Sequence, residues 1–407
     1  MAVCRRLLFI TERFAPDLGG VSRSATRTVA ALARLGIDVE VLSWSRSLPA
    51  GERDTREMPR EALSGRVVVH RMGLFANLDY SLQHTMTLLE SLHRSVPFDG
   101  VWGHYLSTAG FLSVLFANTV GIPATVSARG NDVDLLTFPP GDFARLTWTL
   151  ARAHSVTAVS ADLERKIRVL VPGAQRVQIV RNSVDVDLFR PADAEDSLKS
   201  SLGILSNEMV LGFSGELRHK KGIRPMLAAF REVRRVRPVC LLVIGEVRAR
   251  DQAVLTSFAA EDPDAHTRLI VTGHLENQQD IVRHLRLCDL FLQPSYWDGL
   301  PNSVLEAMAC ERVVLASDAG GIPEAIEHGR SGFLLPRLEL THLGEAILEL
   351  MAISARQRQQ IGLAARRRVE EHFSATREAN ALKQALDDLW STDGSIELPV
   401  SIKQVLI

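Results

Sequence analysis

The chain has 407 residues, room for two or three domains of ordinary size. Hydrophobic residues make up 46% and charged residues 23%, the balance of a folded globular protein, which excludes wholesale disorder. A net charge of −1 argues against a dedicated nucleic-acid binder.

The charge is unevenly spread. Residues 1–190 are mildly basic, with Lys166 their only lysine, and the remainder is mildly acidic. That pattern suits peripheral contact of the first half with an anionic membrane, or phosphorylated substrates, as well as a surface with no such role. Cys4, Cys240, Cys288 and Cys310 are dispersed and beside apolar runs, so buried free thiols in a reducing, cytoplasmic setting are expected. The apolar run in the first ten residues is a strand's length, too short for a signal peptide, and no run reaches the ~18–20 apolar residues of a membrane span.

Residues 7–10 form the first buried-strand run, followed by a loop ending in Gly19-Gly20, a helix over 22–35 and a strand over 39–43. This β-loop-α-β start is the opening of a doubly wound sheet. Gly19 and Gly20 serve either a tight turn or the close approach of backbone to a ligand. The fingerprint G-x-G-x-x-G is absent, which removes the main support for a nicotinamide or flavin cofactor. Residues 49–65 read as a mobile polar loop, 66–70 as a strand and 81–95 as a helix. The strand over 100–104 ends in His104, where a sheet of this kind opens to ligands; a structural histidine in a turn is the competing reading. A helix over 106–120 and a strand over 123–127 lead to Ala128-Arg129-Gly130-Asn131-Asp132, a second candidate binding loop. Helices over 143–154 and 161–171 and strands over 156–160 and 177–180 bring the first half to seven strands.

Residues 189–193 read as a linker, and the pattern then restarts. Strands are expected over 210–214, 239–244, 269–272, 290–293 and 313–317, with helices over 223–236, 278–287, 302–309, 339–351, 355–371 and 375–389. The loop from Glu216 to Gly222 places Arg218, His219, Lys220 and Lys221 between a strand and a helix. It is either a solvated charged turn or a site that neutralises a diphosphate. The stretch 293–324 sets Asp298 on a loop and Glu306 on the following helix, a spacing suited to sugar and ribose hydroxyls.

The run Pro294-Ser295 through Asp298-Gly299-Leu300-Pro301-Asn302-Ser303-Val304-Leu305-Glu306-Ala307-Met308-Ala309 resembles the signature of retaining glycosyltransferases of family 4. Gly19-Gly20, Asn182 to Asp185, Lys221-Gly222, Gly320-Gly321 with Glu324, and Gly332-Phe333-Leu334 fall in that family's order, so the resemblance spans residues 5–390. It implies an α/β fold of the GT-B class: two Rossmann-like doubly wound domains facing an interdomain cleft. Residues 1–190 would bind the acceptor, 191–372 the nucleotide sugar, 373–391 would form a helix crossing back to the first domain, and 392–407 a tail.

The resemblance further implies sugar transfer from a nucleotide-diphosphate sugar, a UDP-sugar or GDP-mannose among them, to a hydroxyl of a glycan, lipid-linked glycan or small metabolite, with retention. Neither cofactor nor metal is expected. It gives Lys221, Arg218, Gly19 and Gly20 to the donor diphosphate, and Asp298 with Leu300, Pro301, Asn302 and Ser303 to the donor sugar. Glu306 falls to the ribose, and His104, Arg129 and Asn131 to the acceptor side, with His104, Asp298 and Lys221 at the chemistry. The chain departs from the pattern at Asp298 (usually Glu), Glu216 (usually Arg, with Arg218 as the expected substitute), Glu311 and Ser183 (usually Gly) and Val313 (usually Pro). A metal-dependent transferase using Asp132-Val133-Asp134 or Asp185-Val186-Asp187, a sugar-nucleotide epimerase, and a non-catalytic sugar-nucleotide binder are the competing readings.

Overall fold

A computed structural model describes residues 5–17, 19–59, 63–173 and 176–391, apart from the Asn131 side chain; Cys4 and the expected tail 392–407 lie outside the described residues. The chain divides into two compact units, residues 1–181 with 378–407, and residues 182–377.

The first unit is an eight-stranded sheet with helices between its strands. In chain order it runs β1 (Arg6–Thr11), α1 (Gly20–Arg34), β2 (Asp38–Ser45), β3 (Arg53–Glu57), β4 (Val67–Gly73), α2 (Leu78–Ser95) and β5 (Gly100–His104). Then come α3 (Thr108–Val120), β6 (Ala124–Ala128), α4 (Asn131–Leu136), α5 (Pro140–Arg152), β7 (Ser155–Ala158), α6 (Ala161–Leu170) and β8 (Val177–Ile179). The spatial order is β3-β4-β2-β1-β5-β6-β7-β8. Every pair is parallel except β3 with β4. Strands β1, β5 and β6 are buried along nearly their whole length, so β1 carries the apolar run 7–10 while the polar Thr125 and Ser127 of β6 are enclosed with it.

β3 corrects the expectation of a loop across 49–65. Its Arg-Asp-Thr-Arg-Glu sequence carries no apolar alternation because the strand is an exposed edge, paired on one side only.

The second unit holds α7 (Asp196–Ser201), β9 (Met209–Ser214), α8 (Ile223–Arg234), β10 (Val239–Ile244), α9 (Gln252–Glu261), α10 (Pro263–Thr267), β11 (Leu269–Val271), α11 (Gln278–Leu287) and β12 (Leu290–Gln293). After these come α12 (Asn302–Ala309), β13 (Val313–Ser317), α13 (Ile322–Ala325), β14 (Phe333–Leu335), α14 (Leu343–Met351) and α15 (Ala355–His372). Its sheet, ordered β11-β10-β9-β12-β13-β14, is parallel throughout. α15 begins at a capping box, with Ser354 and Gln357 each satisfying the other's backbone N–H. Cys240, Cys288 and Cys310 are buried free thiols, and burial pushes Cys240 and Cys310 up to about 12.

α16 (Ala375–Leu389) closes the described chain. Its Leu382, Ala385, Leu386 and Leu389 lie in the same apolar core as Leu7, Phe9, Val29 and Val41. Glu378 accepts from Arg27 Nε at 2.8 Å and from its terminal nitrogen at 3.2 Å, which ties α16 to α1. Among the described residues, no helix is long and apolar enough to cross a membrane.

Candidate active site

In the second unit the loop after β9 and the loop after β12 are locked together. Gly222, at φ +75°, ends a short 3-10 turn and lies so close to Pro294 that a Cβ would sit 2.0 Å from the Pro294 carbonyl oxygen. Only glycine meets both demands. The Tyr296 N–H donates to the Lys220 carbonyl at 2.9 Å, and the His219 and Tyr296 rings stack 5.7 Å apart. This brings Lys221 Nζ onto Asp298 Oδ2, with Lys220 Nζ 3.9 Å from the other oxygen.

Asp298 is buried and held from several directions. Gly299 N–H donates to it at 3.1 Å and Ser295 Oγ at 3.3 Å. Burial alone would raise its pKa, but the charges of Lys221 and Lys220 and these hydrogen bonds outweigh burial and hold the carboxyl below the usual 3.8. It is therefore ionised at neutral pH. A buried chain of polar groups supports the loop: Ser303 Oγ donates to Gln293 Oε1 at 3.0 Å and Gln293 Nε2 to Ser295 Oγ at 2.9 Å.

α12 starts at Pro301 with no side-chain cap, so the N–H groups of its first turn face the loop at the positive end of the helix. The Asn302 Oδ1 and the Trp297 Nε1 are buried without a partner. One expectation needs correcting. The backbone from Leu300 to Ser303 is not wholly available to a ligand, because the Leu300 carbonyl accepts from Asn182 Nδ2 at 2.7 Å and Pro301 has no N–H. Asn182 is thus a loop support that its motif did not reveal. Glu306 is buried on α12.

Glu216, where the family pattern has Arg, sits between two arginines. Its Oε1 accepts from Arg248 Nε at 3.0 Å and its Oε2 lies 3.2 Å from Arg218. Arg218 and Arg248 thus share one carboxylate, and Arg248, which follows a different strand, was not foreseen.

In the first unit, Gly19 and Gly20 follow β1, His104 ends β5 and Arg129 follows β6, three adjacent strands. Gly19, at φ +111°, opens α1 without a side-chain cap, and Gly20 is its first residue. Ser24, the fifth residue of α1, shares a 2.9 Å hydrogen bond with His104 Nε2. His104 is wholly enclosed against Phe9, and its Nδ1 is buried without a partner. Burial, with the charges of Arg129 and Arg27, holds it well below 6.5, so the ring is neutral. The ring of His104, expected on the acceptor side and at the chemistry, presents no surface of its own. Tyr105 follows it at φ +99°, a conformation costing about 1–3 kcal/mol of the kind found at functional sites.

The carboxylate of Asp132 accepts the N–H groups of Leu106, Arg129, Gly130 and Val133 at 2.8 to 3.1 Å, which fixes the loop carrying Arg129. Burial and the nearby charge of Arg27 lower Arg129 to about 10, so it remains a cation. Asn131 opens α4 with its backbone, and its side chain is outside the described residues. The Asp-x-Asp triplets are occupied locally. Asp134 pairs with Lys166 at 2.7 Å and Asp185 accepts the N–H groups of Asp187 and Leu188 at 3.0 Å. Among the described residues, no group of three or more His, Cys, Asp or Glu side chains is placed to hold a metal.

Comparison with known proteins decides the class. A family model described as glycosyl transferases group 1 matches residues 208–352, and one described as a glycosyl transferase 4-like domain matches residues 19–183. The chain belongs to the group 1 glycosyltransferases. It is 27% identical over 396 residues to alpha-maltose-1-phosphate synthase of Mycolicibacterium smegmatis, covering 91% of this chain and 95% of that one. Among solved structures, sucrose-phosphate synthase from Thermosynechococcus elongatus superposes with a TM-score of 0.78 at 17% identity, covering 95% of this chain and 99% of that one. The Anabaena protein HepE, in complex with UDP and glucose, does so with a TM-score of 0.75 at 18% identity, covering 94% and 99%. These neighbours share the two-domain GT-B fold, and this glycosyltransferase moves a sugar from a nucleotide sugar to an acceptor.

Proposed function

We propose that this glycosyltransferase retains the anomeric configuration, with the nucleoside-diphosphate sugar held by the 182–377 unit and the acceptor by the 1–181 unit. The observation that carries the reading is the Asp298 turn, where a buried, ionised carboxylate paired with Lys221 stands on the loop leading into the uncapped start of α12. Lys221 and Arg218 would take the donor diphosphate. Asp298 and the N–H groups of Asn302 and Ser303 would hold the transferred sugar, and Glu306 the ribose.

In this scheme the diphosphate draws Lys221 away from Asp298, which frees the carboxylate to accept sugar hydroxyls. The anomeric carbon's bond to the diphosphate oxygen breaks, and its bond to the acceptor oxygen forms on the same face. The acceptor proton passes to the departing diphosphate, so no side-chain nucleophile takes part. The chain's contribution is electrostatic stabilisation of the leaving group and positioning. UDP-sugars are the first donors to try, because HepE is solved with UDP and glucose.

Arg129, a cation on the loop after β6, favours an acceptor carrying negative charge. The names of two relatives, a maltose-phosphate and a sucrose-phosphate synthase, support the same class. The buried free thiols support a cytoplasmic setting. Leu135, Phe138 and Phe143 expose apolar surface around the α4–α5 turn, with Arg145 and Arg152 further along α5, which supports peripheral contact with an anionic membrane.

The test is release of nucleoside diphosphate from a panel of UDP-, GDP-, ADP- and dTDP-sugars, with neutral and phosphorylated acceptors and anomeric analysis of the product. Lys221→Ala and Glu306→Ala should each lower kcat/KM at least about 100-fold, the scale of losing one charged group at a reacting site. Wild-type kinetics in both variants would refute the site. An inverted product would refute retention.

A further inference from the structure

Arg248 reaches the donor loops because the chain continues past both central strands. Beyond β9 and β10 it turns at Gly215 and Gly245, at φ +119° and +142°, and then runs extended. The Leu217 N–H donates to the Glu246 carbonyl at 2.8 Å and the Arg248 N–H to the Leu217 carbonyl at 3.0 Å, a short parallel bridge of Leu217 with Val247. Leu217 and Val247 turn inward and are buried. By the alternation of extended chain, Glu216, Arg218, Glu246 and Arg248 share the opposite face. There Glu216 takes one arginine on each carboxylate oxygen.

We propose that Arg248 is a second guanidinium of the donor-diphosphate site, and that Glu216 is the positioning residue that holds it beside Arg218. The proposal rests on the reading of the 182–377 unit as the donor site. A guanidinium has five N–H donors in a rigid fork, so an arginine held through one or two of them still presents others to phosphate oxygens. Two guanidinium groups this close repel, and a carboxylate between them offsets the repulsion before any ligand arrives. The reversed charge at position 216 then makes chemical sense: the residue supplies no cation itself but fixes two. Arg218, Lys220, Lys221 and Arg248 still outnumber Glu216, Glu246 and Asp298 around these loops, so the site stays attractive to a diphosphate.

The experiment is calorimetric titration of the full chain with UDP, GDP and ADP and with the corresponding monophosphates, each variant accompanied by a thermal melt. The wild-type chain should bind at least one diphosphate. Arg248→Ala should weaken that diphosphate by about 10- to 100-fold, the scale of a charged hydrogen-bonding group, and the monophosphate by much less. Arg248→Lys should recover only part, since an ammonium lacks the fork. Glu216→Gln should weaken the diphosphate although it removes a negative charge. Exchanging the pair, Glu216→Arg with Arg248→Glu, keeps two guanidinium groups around one carboxylate and should return affinity to within about fivefold of wild type, as coupled neighbours do.

Undiminished diphosphate affinity in Arg248→Ala would overturn the proposal and leave the donor reading standing. So would equal losses for mono- and diphosphates across the variants, which would mark a purely structural ion pair. A wild-type chain that binds no nucleoside diphosphate would overturn both.

Discussion

His104 and Asp298 are both enclosed and both shifted downward, yet their effects on stability fall in different pH windows. Burial and the charges of Arg129 and Arg27 depress His104, so the folded chain resists the proton that the unfolded chain accepts near 6.5. Its contribution is fully present above about 6.5 and is lost as pH falls below it, with a slope of at most about 1.4 kcal/mol per pH unit. Asp298, below 3.8 in the folded chain, acts only in stronger acid; its contribution is present above the unfolded value and is lost as pH falls through the folded one. Thermal melts between pH 7.5 and 5.0 should therefore show a falling midpoint that His104→Gln flattens, whatever that variant's absolute stability. An unchanged slope in His104→Gln would show that His104 titrates normally.

At the level of elements, α12 shows how a departure in sequence can leave backbone geometry intact. The helix ends with Glu311 N–H on the Met308 carbonyl and Arg312 N–H on the Ala307 carbonyl, both at 3.0 Å, a Schellman ending with Glu311 at φ +59°. A side chain there costs about 1–2 kcal/mol, part of which glycine would give back through its freer unfolded state. Glu311→Gly should raise stability by about 0.5–1 kcal/mol, a midpoint increase of about 1–4 °C for a unit of this size. A lower midpoint would mean that the Glu311 side chain supports α12 in some other way. The resemblance marked position 311 as unusual, but the left-handed backbone that explains glycine elsewhere became visible only in three dimensions.

The same limit governs the rest of the architecture. β1 and β10 were legible because both faces are buried and their cores, Leu7 to Ile10 and Val239 to Ile244, are apolar. β3 was not, since Arg53 to Glu57 is an exposed edge whose pairing supplies what its side chains do not. β14 is three residues long, too short for any period to declare itself. At the candidate site, Lys221, Asp298 and Glu306 could be singled out because one loop-and-helix motif carries the last two and a lysine-glycine pair the first, and the structure pairs Lys221 with Asp298. Arg248 was hidden because only the adjacency of β9 and β10, a long-range fact, puts it beside Glu216.

Across the whole molecule, the first unit is discontinuous in sequence, and its core is incomplete without the chain's last described helix. Leu382, Leu386 and Leu389 are each almost fully buried in the core built from β1, β2 and α1. At about 1.5–3 kcal/mol per buried leucine they contribute roughly 5–9 kcal/mol, comparable with the entire 5–15 kcal/mol that holds a domain folded. Polar contacts fix the same helix: Arg27 on Glu378, and Trp390 Nε1 on the Asp99 carbonyl at 3.1 Å. Residues 1–181 alone should therefore fail to give a cooperative melt and should expose apolar surface to a dye such as ANS. Joining residues 378–391 to that fragment through a flexible linker should restore both cooperativity and dye exclusion. Within the restored fragment, Leu386→Ala should cost about 2–5 kcal/mol, as deletion of a well-packed core leucine does. Cooperative unfolding of 1–181 by itself, at a midpoint near that of the linked fragment, would show that α16 only rests on this core and does not complete it.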